Sequence, residues 1–248
     1  MSTLFISDLH LDPVRPAITA LFLDFLAGEA RRAEALYILG DLFEAWIGDD
    51  DPDPHHARVA EGLAALAEGG TPVRFLVGNR DFLLGKDFAR RAGMELLVEP
   101  LRMELHGVPT LILHGDVLCT DDADYQAFRT MVRNAEWQRD FLGRPLAERR
   151  VLAGQARAES RRRGAAKQPE IMDVNTVAAE AAFRAQGVRR LIHGHTHRPA
   201  IHRLQVDGRT CERIVLGDWY EQGSLLRVDD SGARLHTLTP NNSSHQAG

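Results

Sequence analysis

Seven residues able to ligate a metal sit just beyond short apolar runs: Asp8 and His10, Asp41, Asn79, His114, and His195 with His197. Imidazole and carboxylate in one set suit Mn, Fe or Zn, whereas carboxylates alone would point to Mg or Ca. Seven ligands exceed what one tetrahedral ion takes, but they serve two ions that share a carboxylate. Asp41, a single acid at the tip of its own run, is the natural bridge. Two ions about 3.5–4 Å apart can clamp a phosphate, lower the pKa of a bridging water and stabilise developing charge. In extended chain, residues two apart point the same way, so alternation predicts that Asp8/His10 and His195/His197 each face one point. Taken singly, Asp8, Asp41 and Asn79 read as ordinary turn or helix-capping residues. Their recurrence at five separate strand ends is what points to a dinuclear centre.

The runs that must position them are Leu4–Ile6, Ala35–Leu39, Val73–Val77, Thr110–Leu113 and Leu191–Ile192, with a sixth, Ile214–Leu216, leading to Gly217-Asp218. Continuous apolar runs of this length suit strands buried on both faces. Helical spacing separates the first three: Ile18, Leu21, Phe22, Phe25 and Leu26, then Val59, Leu63 and Leu66. The pattern predicts an α/β fold whose ligand lies at the carboxyl ends of the strands. Residues 225–228 and 235–238, around Asp229-Asp230-Ser231-Gly232, read as a hairpin. The tail, 241–248, is polar and expected to fray.

With 248 residues, 44% hydrophobic and 26% charged, the chain falls in the ordinary soluble globular range. Its net charge of −5 argues against a general nucleic-acid binder. Two distant cysteines, Cys119 and Cys211, give no disulfide framework and fit a reducing, cytoplasmic compartment. The amino-terminal segment predicts no signal peptide, and no stretch predicts a bilayer span.

Residues 121–170 break the rhythm and predict a helical lid inserted into a core made of 1–120 and 171–240. Tyr125, Phe128, Val132 and Ala135 read as one helix face, continued by Trp137 and Phe141. From Arg144 to Lys167 there are eight Lys/Arg against two acids. Apolar positions can line a slot for acyl chains, while basic ones meet anionic lipid headgroups. Elsewhere Asp49, Asp50, Asp51 and Asp53 read as a solvated acidic loop that could instead face this basic segment, and His55 and His56 as exposed. His193 reads as structural, and Asp81 and Asp116 as candidates to orient the ligands.

At Asp8-Leu9-His10, Gly40-Asp41, Gly78-Asn79, His114 and Gly194-His195-Thr196-His197, the sequence resembles the calcineurin-like metallophosphoesterases. That resemblance implies a β-sandwich flanked by helices. It also implies one metal held by Asp8, His10, Asp41 and His197, and a second held by Asp41, Asn79, His114 and His195. The family pattern continues Gly-Asn-His, whereas this chain has Arg80, which supplies a guanidinium in place of a proton donor. Arg binds phosphate oxygens but does not release a proton at neutral pH. A leaving group that needs no protonation, such as a phosphate of a diphosphate, follows.

Gly78-Asn79-Arg80-Asp81-Phe82, Gly40-Asp41-Leu42-Phe43-Glu44-Ala45-Trp46, His193 to Pro199 and Leu216-Gly217-Asp218-Trp219 resemble one branch, the UDP-2,3-diacylglucosamine diphosphatases of lipid A biosynthesis. The resemblance implies water attack at the α-phosphate with two Mn(2+) per chain, giving UMP and 2,3-diacylglucosamine 1-phosphate. It further implies peripheral attachment to the cytoplasmic face of the inner membrane, an anionic surface; no nucleic acid and no protein partner are expected. Catalytic roles would fall on Asp41, Asn79, Arg80, His114 and His195. Substrate contacts would fall on Asn79, Arg80, Asp122, Tyr125, Ser160, Lys167 and His195; Gly164 stands where the branch commonly has Asn. The alternative is a metallophosphoesterase acting on a soluble nucleotide diphosphate or cyclic nucleotide.

Overall fold

The computed structural model describes residues 1–166, 171 and 173–239, with side chains throughout except at 161 and 163–166. A six-stranded sheet is built from β1 (Thr3–Ile6), β2 (Ala35–Leu39), β3 (Val73–Leu76) and β4 (Met94–Leu96), all parallel. An antiparallel hairpin, β10 (Gly223–Asp229) and β11 (Gly232–Leu238), pairs onto β1. The second sheet runs β5 (Leu101–Leu105), β6 (Val108–Ile112), β7 (Arg190–His193), β9 (Arg209–Val215), β8 (Ala200–Val206). Its centre, β6, β7 and β9, is parallel, and its edges are antiparallel.

Successive strand side chains alternate between two apolar layers. Phe5, Tyr37, Leu39 and Leu76 meet Ile112, Ile192, Ile214 and Leu216 between the sheets. Leu4, Ile6, Leu36, Ile38 and Phe75 face α1 (Pro16–Ala27), α2 (Pro54–Glu68) and α3 (Lys86–Arg91) on the outside. Each helix keeps its own apolar stripe: Ile18, Leu21, Phe22, Phe25 and Leu26 on α1, and Val59, Leu63 and Leu66 on α2. Full burial of such a side chain is worth about 1.5–3 kcal/mol, so these stripes hold the helices to the sheet. On the far side, Phe183 of α7 (Thr176–Gln186) packs on Leu111, Leu113 and Leu191.

Between β6 and α7 the chain forms α4 (Ala123–Val132), α5 (Ala135–Leu142) and α6 (Leu146–Ala166). The single face expected across 125–141 is split. Asn134 caps a new helix by accepting from the amides of Glu136 and Trp137, so α4 ends before it. Val132 and Phe141 are buried and dock the segment, Trp137 stacks on Phe141, and Phe128 stays 43% exposed.

The acidic loop is not solvated as a whole. Asp49 accepts from the amides of Gly85, Asp87 and Phe88 at the start of α3 and from Trp46 Nε1. Asp50 and Asp51 pair with Arg149 and Arg150 of α6. Arg149 also donates to the carbonyls of Ile47 (2.6 Å) and Arg144 (3.0 Å). With Arg144 on Glu148 and Arg162 on Glu159, four cations of the basic segment are already paired. His55 and His56 are half-buried beside Phe43, where burial pushes both imidazoles down. Among the described residues, no helix is long and apolar enough to cross a membrane.

Candidate metal centre

All seven proposed ligands lie just past strand ends, where the two sheets meet. Strand alternation is not what aims the pairs. β1 stops at Ile6, and Asp8 (φ 56°), His10 (φ 48°), Asp41 (φ 54°), His195 (φ 70°) and His197 (φ 56°) all adopt left-handed backbone. Asp, Asn and His enter that region more readily than other residues with side chains, though each such position costs on the order of 1–3 kcal/mol. The turns are pinned by Asp8 N donating to Gly40 O (3.1 Å), His10 N to Asp41 O (2.9 Å) and Trp219 N to Asp8 O (3.0 Å).

Two glycines permit the approach. A Cβ on Gly78 would sit 2.1 Å from Asp41 Oδ1, and one on Gly194 would sit 1.9 Å from Ser7 Oγ and 2.2 Å from Asp8 Oδ2. Asp81 ties two of the loops together by accepting from the amides of Gly78 (2.7 Å), Leu42 (2.7 Å) and Asp41 (3.3 Å).

The ligand atoms gather in two overlapping sets. In the first, His10 Nε2 lies 3.2 Å from His197 Nε2, 3.9 Å from Asp8 Oδ1 and 3.8 Å from Asp41 Oδ2, and His197 Nε2 lies 3.3 Å from Asp8 Oδ1. In the second, Asn79 Oδ1 is 2.9 Å from His114 Nε2 and 2.8 Å from His195 Nδ1, with Asp41 Oδ1 3.8 Å from His114 Nε2. Asp41 reaches both sets, one oxygen to each. His114 Nδ1 points away and donates to the Leu39 carbonyl at 2.8 Å, leaving Nε2 toward Asp41 and Asn79.

These residues fit a divalent cation. Asp8 Oδ1 is buried without a hydrogen-bond partner, and mixed imidazole and carboxylate donors suit a transition metal. The electrostatics are correspondingly tense. Burial, aided by Asp81 and Asp8 and opposed by His114, pushes Asp41 up to about 7. Burial together with His114 lowers His195 to about 4, and burial holds His10 well below its ordinary value. Burial opposes a charged His114, yet Asp41, Asp116 and Asp8 raise it to about 9. Burial would raise Asp8, but His197, His114 and His10 hold it well below the usual carboxylate range.

Arg80 borders the centre. Its amide donates to Asp41 Oδ1 at 2.8 Å, and its half-buried guanidinium keeps Nε without a hydrogen-bond partner. Tyr125 comes within 5.6 Å of His195, ring centre to ring centre, and donates to Asp116 at 2.9 Å. Asp122 caps α4 by accepting from the Tyr125 amide. Ser160 is exposed on α6, and Lys167 lies outside the described residues. His193 is buried, with Nδ1 on the Gly194 carbonyl and Nε2 3.2 Å from Arg213 Nη1, in keeping with a structural role.

Three neighbours escape a search for ligand motifs. Glu44 Oε2 lies 3.5 Å from His10 Nδ1, and Asp218 Oδ2 lies 3.5 Å from His197 Nδ1, so the far nitrogen of each ring faces a carboxylate. Such partners fix ring orientation. Tyr220 stacks on His10 at 5.2 Å and 3°. Asp218 carries a visible signal, since Gly217-Asp218 follows β9 as Gly40-Asp41 follows β2.

Two sheets converging on this ligand set define a metallophosphoesterase, and the family model for calcineurin-like phosphoesterases matches residues 1–199. The chain belongs to that family. It is 57% identical over 245 residues to the UDP-2,3-diacylglucosamine hydrolase of Xanthomonas axonopodis pv. citri, covering 96% of this chain and 99% of that one. It is 56% identical to the protein of that name from Stenotrophomonas maltophilia, covering 96% and 99%. Among solved structures, an archaeal phosphodiesterase aligns with a TM-score of 0.49 at 14% identity, covering 96% of this chain and 100% of its own.

Proposed function

We propose that this chain hydrolyses UDP-2,3-diacylglucosamine in lipid A biosynthesis, adding water at the α-phosphate and releasing UMP and 2,3-diacylglucosamine 1-phosphate. The observation that carries the reading is the gathering of seven ligands from five strand ends around Asp41, on a chain more than half identical to hydrolases of that name. Asp8, His10, Asp41 and His197 would hold one Mn(2+), and Asp41, Asn79, His114 and His195 a second. Such a pair, when bound, grips phosphoryl oxygens and makes water acidic enough to attack.

The chain's own groups do the rest. Arg80 binds phosphate oxygens through its guanidinium and keeps its proton, which suits departure of a phosphate monoester from the attacked phosphorus. Asn79 and His195 orient the diphosphate from the second set. Asp122, Tyr125, Ser160 and Lys167 would add further substrate contacts, while α4–α6 would cover the acyl chains. The half-exposed Phe128 and Met131, with Leu142 and Val151, offer the apolar surface for that role. Basic residues between Arg144 and Lys167 would draw this part of the chain to the anionic inner-membrane surface at roughly 1 kcal/mol for each that reaches it.

The test is UMP release by the purified chain. Mn(2+) should support turnover of UDP-2,3-diacylglucosamine, a chelator should abolish it, and Asp41→Ala should lower it by at least about 10²-fold. Equal turnover of a UDP-sugar without acyl chains would move the assignment to a soluble nucleotide diphosphate.

A further inference from the structure

Tyr125, Arg129 and Arg133 stand four residues apart along α4 and its C-cap, so they share one face, a turn above one another. Arg129 Nε donates to Asp116 Oδ2 at 2.8 Å, the same oxygen that accepts from the Tyr125 hydroxyl. Arg129 Nη2 donates to Glu99 Oε1 at 2.9 Å, and the other oxygen of Glu99 accepts from the His114 amide at 2.9 Å. Arg133 Nη2 donates at 2.9 Å to the carbonyl of Gly78, the residue before Asn79. It also lies 3.9 Å from both Glu99 and Asp116. The three side chains therefore end on the loops of His114 and Asn79 and beside the His195 ring. Those are the members of the second ligand set other than Asp41. The loops of Asp8, His10 and His197 are pinned instead by backbone bonds, by Ser7 and by Arg15 on the His10 carbonyl, with the His195 amide donating to Asp8 at 2.9 Å.

We infer that Tyr125, Arg129 and Arg133 form a positioning stripe through which the helical segment holds the second metal set in shape, while the first set assembles without it. The inference rests on the two-set reading of the centre. Asp116 is fully buried and Glu99 nearly so. Without the arginines, two carboxylates flanking His114 would lose their guanidinium partners while staying buried, and the loop would relax away from its ligand geometry. Groups one contact behind a metal ligand typically contribute 10–100-fold in metal affinity, and Glu99, which Arg129 holds, takes that place at the His114 amide. The coupling is reciprocal, since whatever α4 adds to metal affinity, bound metal returns as firmer docking of α4.

Mn(2+) binding to the full chain, followed by calorimetry and by the spin-coupled electron paramagnetic resonance signal of a cation pair, tests this. His114→Ala marks which of the two sites is the second. In the double variant Arg129→Met/Arg133→Met, the second-site dissociation constant should rise at least about tenfold and the paired signal should fade, with the first site within about twofold of the parent. Arg149→Met, which loosens the segment at its other end, should leave both sites unchanged. Arg129→Lys keeps the charge but not the two-pronged reach, and should show an intermediate weakening even where the double variant does not fold. Hydrogen exchange of the α4 amides should slow on Mn(2+) addition in the parent and not in the double variant. Unchanged second-site affinity, or equal weakening of both sites, would overturn the inference. A parent chain that takes up a single ion would overturn the two-cation reading on which it stands.

Discussion

The strand-end loops and the α4–α6 segment meet over the same centre, but different bonds hold them there. The loops are shaped by backbone: five left-handed residues, ladder-like amide bonds between neighbouring turns, and glycines where no Cβ fits. The helical segment is held by side chains, with Arg129 and Arg133 on Asp116, Glu99 and the Gly78 carbonyl, and Arg149 on Asp50 and the Ile47 carbonyl. The difference teaches where tolerance lies. Backbone-held geometry fails sharply on the addition of one methyl group, whereas side-chain ties fail by degrees.

The largest effect that would sharpen this contrast is Gly194→Ala. The new Cβ would sit within 2.2 Å of both Ser7 Oγ and Asp8 Oδ2. UMP release should fall by at least about 10²-fold, with a loss of about 1–3 kcal/mol of stability in thermal unfolding. An active Gly194→Ala protein would break the comparison at its firmer end. Arg149→Met should cost about 1.5–3 kcal/mol in urea unfolding, the worth of a hydrogen bond from a charged donor. It should raise the KM for acylated substrate more than it lowers kcat. The smallest change is Phe128→Ser, within about 0.5 kcal/mol of the parent because the ring is already half-exposed. A raised KM confined to long-chain substrates would assign that ring to the acyl slot, and a KM unmoved by chain length would remove it.

Much of the centre is legible in the sequence because it is written in residue types that have few other reasons to recur after apolar runs. Asp8, His10, Asp41, Asn79, His114, His195 and His197 can all be picked out that way. What is hidden is how they converge, since left-handed turns leave no period in the sequence. The cap at Asn134 is a local signal overridden by the apparent run from Tyr125 to Phe141. The acidic loop illustrates a different limit. Four aspartates in five positions leave two readings, a solvated loop or one facing the basic segment, and only the fold chooses the second by bringing Arg149, about a hundred residues away, to Asp50. Strands such as β8, exposed along most of its length, carry too weak an apolar pattern to stand out.

The seam between the two sheets ends in the proposed ligand shell. Asp8, His10, Asp41 and Asn79 come from the first sheet, and His114, His195 and His197 from the second. Neither sheet completes a set alone, so a cation here would rivet the halves of the sandwich as well as activate water. Metal supply would then govern the lifetime of the protein along with its turnover. Ligand-linked stability grows with free ion, and a starved cell would lose unriveted chains to its proteases as well as their catalysis.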